Sequence, residues 1–203
     1  MKNFPKAGLL IITLVIPALI FVFLRFFARN HYDLPYFNPE RNASGEILIQ
    51  RGDTIFHQVK NQILPSKGNS INGHLTVVSY LPEVCDDSCS LALSQLQRIN
   101  ATNDKIPEVS VLTLTTDLEK QKVRIAELGS GSWKFEKDSL GRISSFFNKE
   151  LGYTPELSGI SNMFTLIDTK GFIRGYYKGT DPEEIDRLMA EIKILAYEGK
   201  STK

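Results

Sequence analysis

An α/β domain in which helices cover a mixed β-sheet, set behind an N-terminal transmembrane helix, is the fold class that the sequence predicts. Three observations predict it. Two β-branched runs, LTVVSY at 75–80 and VSVLTLT at 109–115, lack polar alternation and read as strands covered on both faces. Amphipathic segments of helical period follow such runs, the order expected of a layered α/β fold. Eighteen residues without a charge, AGLLIITLVIPALIFVFL at 7–24, come close to the roughly 20 that cross hydrocarbon.

The length of 203 residues suits one ordinary domain, and 42% hydrophobic residues exclude a wholly disordered chain. The formal charge of +1 averages two regimes. Lys2, Lys6, Arg25 and Arg29 make the first thirty residues +4, and 20 basic against 23 acidic residues make the remainder −3. A mildly acidic body without a basic run lacks the phosphate-binding surface that a nucleic-acid partner needs.

The elements follow in order. After a short flank at 1–6, residues 7–28 read as a membrane anchor, with Pro17 bending the span without preventing it. A buried helix is the soluble alternative, disfavoured because the segment is apolar on every side and terminal. A cleaved signal peptide is the other, disfavoured by the long core and by the absence of a small-x-small site at 25–29. Lys2 and Lys6 nearly balance Arg25 and Arg29, so charge does not orient the span. Residues 29–43 read as a tether, 44–198 as the folded domain and 199–203 as a flexible tail.

Within the domain, 46–50 and 54–59 flank Arg51-Gly52-Asp53 as a hairpin ahead of the core. Strand 75–80 precedes a helix at 90–100, and strand 109–115 precedes mixed helical character at 120–128. Trp133 and Phe135 read as packing aromatics before a helix at 139–151 that carries Leu140, Ile143, Phe146, Phe147 and Leu151. MFTLID at 163–168 and FIRGYY at 172–177 flank Thr169-Lys170-Gly171 as a second hairpin. Asp181 fits an N-cap and Pro182 the first helical position of a helix with Ile185, Leu188, Met189, Ile192 and Leu195. A thioredoxin-like architecture fits this order best.

Cys85 and Cys89, the two cysteines of the chain, lie between a core strand and its following helix. Their i,i+4 spacing brings two sulfurs to one side of a first helical turn, within reach of a disulfide or of shared coordination of a soft metal such as copper(I). Amides at the helix start stabilise a thiolate at Cys85, whereas Asp86 and Asp87 oppose it. The plainer reading is a small structural bridge. Of the three histidines, His31 falls in the tether, His57 in the first hairpin and His74 at the entrance to strand 75–80, each placed for a surface or structural role. Met163 reads as core, and Asp168 as a residue that shapes its turn by local hydrogen bonds.

The order of motifs resembles the SCO/SenC family of membrane-anchored thioredoxin-like proteins associated with copper delivery and thiol redox work in cytochrome c oxidase assembly. YDLPYF, VVSYLPEVCDDSC, VSVLTLTTDLEK, GSWKF and FTLIDTKGFIRGYYKGTDPEEI carry the resemblance, which runs from about residue 32 to residue 195. The departures are as specific. The family's CPxxCP lacks both prolines here, Asp86 and Ser90 standing after the cysteines; Leu118 stands where proline is common; and the family's copper-binding histidine falls at Ile160.

The resemblance implies a single-pass anchored domain facing the periplasm or an equivalent space. Three functions compete on this reading. One is a membrane-tethered thiol-disulfide oxidoreductase acting through Cys85 and Cys89 on a thiol redox partner in cytochrome c oxidase maturation. The second is an altered-site copper chaperone that uses the same two sulfurs toward an assembly factor or copper-site subunit. The third is an interaction domain with a structural disulfide.

Overall fold

The computed structural model describes residues 4–27, 34–60, 71, 73–128, 132–153 and 157–201. The chain divides into two units, Met1–Asp33 and Leu34–Lys203.

The first unit contains helix α1, Phe4–Phe27. Among the described residues no helix is long and apolar enough to cross a membrane. The expected transmembrane anchor, the single-pass topology with an extracytoplasmic body and the membrane as partner are corrected on that ground.

The second unit is built on a five-stranded sheet of order β5-β4-β3-β6-β7. Its strands are β3 (Leu75–Leu81), β4 (Val109–Thr115), β5 (Trp133–Lys137), β6 (Met163–Ile167) and β7 (Ile173–Lys178). β3, β4 and β5 run parallel, with Val77 opposite Val111 and Val111 opposite Trp133. β6 is antiparallel to β3, and β7 to β6. This is the mixed thioredoxin-like sheet that the strand patterns predict. All seven residues of β3 and of β4 are buried, which explains their unbroken β-branched runs.

The sheet separates two apolar layers. On one face, alternate residues Leu75, Val77 and Leu81 meet helix α2 (Asp87–Asn100) through Ala92, Leu93, Leu96 and Ile99, and helix α6 (Pro182–Ser201) through Ile185, Leu188, Ile192 and Leu195. On the other, Val78, Tyr80, Leu112 and Leu114 meet Ile143, Phe146 and Phe147 of helix α4 (Leu140–Lys149). Burying each large side chain contributes about 2 kcal/mol. Helix α3 (Leu118–Leu128) and the short α5 (Leu157–Ile160) connect strands.

Boundaries shift where caps act. α2 starts three residues before the expected 90 because Asp86 caps it, and Asp181 caps α6 by accepting the Glu183 N–H. The first hairpin is shorter than expected: β1 (Ile49–Gln50) pairs with β2 (Asp53–Thr54), and Arg51 and Gly52 both take positive φ in the turn between them. β5, expected only as packing aromatics, is an edge strand. Its Trp133 and Phe135 stack at 5.1 Å between ring centroids while the backbone pairs with β4. Residues 34–37 lie on β7, where Phe37 N–H bonds the Ile173 carbonyl.

Candidate active site at the Cys85–Cys89 disulfide

The chain leaves the buried end of β3 and turns into α2 within five residues. Asp86, extended at φ −80°, is the N-cap, so Cys85 stands just outside the helix and Cys89 in its first turn. The Asp86 carboxylate accepts the Cys89 N–H at 2.8 Å and the Ser88 hydroxyl at 2.7 Å. The amide bond first, and the hydroxyl second, hold Asp86 below the usual carboxylate range. This local turn leaves the two Cα atoms 5.2 Å apart, and Cys85 and Cys89 are joined in a disulfide.

The two sulfurs differ in access. Cys89 is 3% exposed and belongs to the α2 layer of the core, whereas Cys85 is half-buried beside Val84, which is 86% exposed. A reagent from solution therefore meets Cys85 first. Cys85 Sγ lies 3.9 Å from the Ser90 hydroxyl.

Two neighbouring segments hold the loop. Gln121 of α3 donates to the carbonyls of Pro82 and Glu83 at 3.2 and 3.1 Å, and the Glu83 carboxylate accepts from Lys120 at 3.0 Å and from Thr116 at 3.1 Å. The Lys120 bond leads the effects that push Glu83 down, and the same bond pushes Lys120 up. From the other side, Asn162, just before β6, donates its amide to Ser88 Oγ at 2.9 Å. On the α2 face of the sheet, Thr113 joins Ser79 at 2.8 Å and accepts Trp133 Nε1–H at 2.9 Å, so these buried hydroxyls are paired.

Neither described histidine joins the cysteines. His57 Nε2 lies 3.0 Å from Glu150 and Nδ1 3.8 Å from Glu40. It borders an open cavity of about 640 Å³ lined with Glu40, Arg41, Lys149 and Tyr176, to which neither cysteine contributes. His74 stands at the opposite end of β3 from the disulfide, about 20 Å away at strand spacing. His31 lies outside the described residues. Met163 is partly buried and opens β6. Ile160, at the family's histidine position, is 5% exposed and packs in the α4 layer, across the sheet from the layer that holds Cys89.

These placements correct the copper expectation. Copper(I) held by two sulfurs and a histidine requires three converging donors, and among the described residues no group of three or more His, Cys, Asp or Glu side chains can hold a metal. With Cys85 and Cys89 bonded to each other, neither sulfur is a free thiolate. The residues do not fit the metal. The expected part in cytochrome c oxidase maturation came from the SCO/SenC resemblance to membrane-anchored, copper-delivering proteins, and it is withdrawn with the anchor and the copper site.

Asp168 shapes its turn as expected, accepting the Lys170 and Phe172 N–H groups at 2.9 Å each, but it is also buried against Arg174 at 3.1 Å. Asn162 and Gln121 were missed as site residues. Only the strand order brings them to the cysteine loop, and neither carries a sequence signal.

No protein-family model matches the chain, and neither does any curated protein. Solved structures do. A SCO1/SenC family lipoprotein from Bacillus anthracis matches with a TM-score of 0.51 at 18% identity, covering 62% of this chain and 83% of that one. BsSco, described as a member of the Sco family of cytochrome c oxidase assembly proteins with a disulfide switch, matches with a TM-score of 0.52 at 15% identity, covering 81% and 96%. At these identities the likeness establishes a thioredoxin-like fold.

Proposed function

We propose that this protein is a thiol-disulfide oxidoreductase whose exchanging pair is Cys85 and Cys89. In the dithiol form, the Cys85 thiolate attacks one sulfur of a partner's disulfide, forming a mixed disulfide and releasing the partner's other sulfur as thiolate. The Cys89 thiolate then attacks Cys85 Sγ, restoring the Cys85–Cys89 bond and releasing the partner's second thiolate. Two electrons pass to the partner, and the protons lost from the two cysteines end on its thiols. The reverse sequence oxidises a partner dithiol.

One observation carries this reading: a bonded cysteine pair at a strand-to-helix junction with one sulfur accessible and the other in the core. The helix-start amides favour a thiolate at Cys85 and the Asp86 carboxylate opposes it. The motif order supports kinship with the SCO/SenC proteins in thiol chemistry alone.

A structural bridge is the second reading, favoured by the burial of Cys89. Its value as a staple is small. Closing a loop of sequence separation 4 restricts the unfolded chain by about 2 kcal/mol, against about 4.7 for a 100-residue loop.

The test is a redox titration of the full chain in a dithiothreitol buffer, followed by thiol alkylation and mass measurement. One reversible two-electron couple is expected, lost in Cys85→Ser and in Cys89→Ser. With an oxidised model peptide, Cys89→Ser should accumulate the mixed disulfide at Cys85, and Cys85→Ser should accumulate far less. A bridge that resists reduction until the protein unfolds would refute the proposal in favour of a staple.

A further inference from the structure

Ser88, Ser90 and Ser94 stand on the first turns of α2, and each spends its hydroxyl differently. Ser88 donates to Asp86 Oδ1 at 2.7 Å, and Ser94 turns back to the Leu91 carbonyl at 2.7 Å, a local bond common to helical serines. Ser90 makes neither. Its Oγ lies 3.9 Å from Cys85 Sγ and has no other hydrogen-bond partner among the described residues. The sulfur of a disulfide carries no hydrogen, so the hydroxyl is the donor at this contact. Backbone bonds hold the two residues in place. Ser90 N–H donates to the Asp86 carbonyl at 2.9 Å, Asp86 Oδ1 accepts the Cys89 N–H at 2.8 Å, and Gln121 ties the Pro82 and Glu83 carbonyls ahead of Cys85. Ser90 is also one of the two departures from CPxxCP, and a proline there has neither the hydroxyl nor the N–H.

In the oxidised protein this contact is weak, because it is long and falls on a poor acceptor. Reduction changes the acceptor and leaves the donor as it was. The Cys85–Cys89 bond breaks, a dithiol reductant becomes its own disulfide, and its two protons pass to the two cysteine sulfurs. Cys85 then yields its proton to solvent and becomes the attacking thiolate. A hydrogen bond to an ionised acceptor is roughly twice as strong as one between neutral groups. The charged side chains around the loop give no comparable support. Asp86, Asp87 and Glu83 are anionic, and Lys120 of α3 is taken up by Glu83 at 3.0 Å with Asp117 at 3.8 Å. Asn162, from the segment before β6, is neutral and bonds Ser88.

We propose that Ser90 takes part in the exchange directly: its hydroxyl donates to the Cys85 thiolate and holds that sulfur ready to attack. This rests on the thiol-exchange reading. Ser90 keeps its proton throughout. As Cys85 Sγ bonds to one sulfur of the partner, the negative charge leaves on the partner's other sulfur, and the Ser90 contact returns to its weak form.

The experiment follows reoxidation of the reduced full chain by hydroxyethyl disulfide, a neutral probe, with acid quenching and mass measurement across about pH 5–10, a range that brackets the ordinary thiol value. Wild type, Ser90→Ala, Ser90→Thr and Ser94→Ala are compared, with thermal unfolding of each oxidised protein alongside. Ser90→Ala should raise the midpoint of the rate profile by roughly half to one pH unit, the loss of a charged hydrogen bond that water partly replaces. A more basic thiolate is scarcer but more nucleophilic. The Ser90→Ala rate should therefore be about two- to threefold below wild type on the acid side of both midpoints and about two- to threefold above it on the alkaline plateau. Ser90→Thr keeps the hydroxyl and should follow the wild type, as should Ser94→Ala, whose hydroxyl serves the helix alone. A Ser90→Ala profile that superimposes on wild type, or that falls by one factor at every pH, overturns the inference. A Ser90→Thr profile that follows Ser90→Ala overturns it too. A wild-type bridge that resists reduction until the protein unfolds overturns the exchange reading itself, which separates the two failures.

Discussion

Removing the Arg174 guanidinium should destabilise the second unit more than any exposed ion pair could. Arg174 and Asp168 are each 5% exposed. Arg174 Nη1 donates to Asp168 Oδ2 at 3.1 Å, Nη2 to the Leu34 carbonyl at 2.7 Å and Nε to the Pro35 carbonyl at 3.3 Å, and the guanidinium lies 4.1 Å from the Tyr36 ring centroid. In Arg174→Ala, Asp168 Oδ1 keeps its two backbone donors, but Oδ2 becomes an uncompensated buried charge and two carbonyls lose their donor. Breaking a buried pair from one side costs about 3–5 kcal/mol. For a unit of this size each kcal/mol shifts Tm by about 2–4 °C, so a fall of about 10 °C is expected. Circular dichroism melting at pH 7 measures it. The double variant Asp168→Asn with Arg174→Met removes both charges, keeps the turn acceptor at residue 168 and should recover more than half of the loss. A Tm within about 1 °C of wild type in Arg174→Ala would refute the reasoning. A double variant as unstable as the single would show that the tie to 34–35, and not the stranded charge, carries the effect.

Reducing the disulfide without other change should lower Tm by about 4–8 °C, the loop-closure value of about 2 kcal/mol at this size, in paired melts with and without a phosphine reductant. A loss above about 15 °C would favour the structural bridge. Asp86 has a folded-state value below its unfolded one, so its contribution is present above the unfolded value near 4 and disappears as pH falls through the lowered folded value. Asp86→Asn should therefore lower stability at pH 7 and flatten the acid limb of a pH–Tm profile below pH 4. An acid limb as steep as that of the wild type counts against the cap assignment.

Much of the fold was legible because its elements are locally determined. VSVLTLT is β4 from end to end, since a strand covered on both faces needs apolar or small residues at each position. Asp181-Pro182 marks the start of α6 because the Asp181 side chain accepts an orphan amide of the first turn and Pro182 has no amide to leave unpaired. Thr169-Lys170-Gly171 turns where Asp168 bonds its own following backbone. WKFEK does not read as a strand from sequence, because two aromatics suit loop packing equally well and only pairing with β4 decides between them. The apolar run at the N-terminus was legible as a helix, and the reading failed at the inference from helix to membrane span.

The cysteine pair divides along the same line. Spacing placed two sulfurs within bonding reach, and the β-to-helix junction follows from the runs on either side of it. Which sulfur is accessible depends on α2 lying over β3 with Cys89 turned into that layer, a consequence of packing many residues away. The loss of the copper reading has the same origin. Isoleucine at 160 removed one donor in the sequence, but only the tertiary structure sets Ile160 in the other layer and His57 and His74 away from the loop. Local patterns of burial and capping are written in neighbouring residues, so the sequence determined the strands, the helices and the chemistry available at Cys85 and Cys89. The surroundings of those sulfurs, with Gln121 on one side and Asn162 on the other, come from segments 36 and 77 residues from Cys85 that meet only when the sheet orders β4, β3 and β6 side by side.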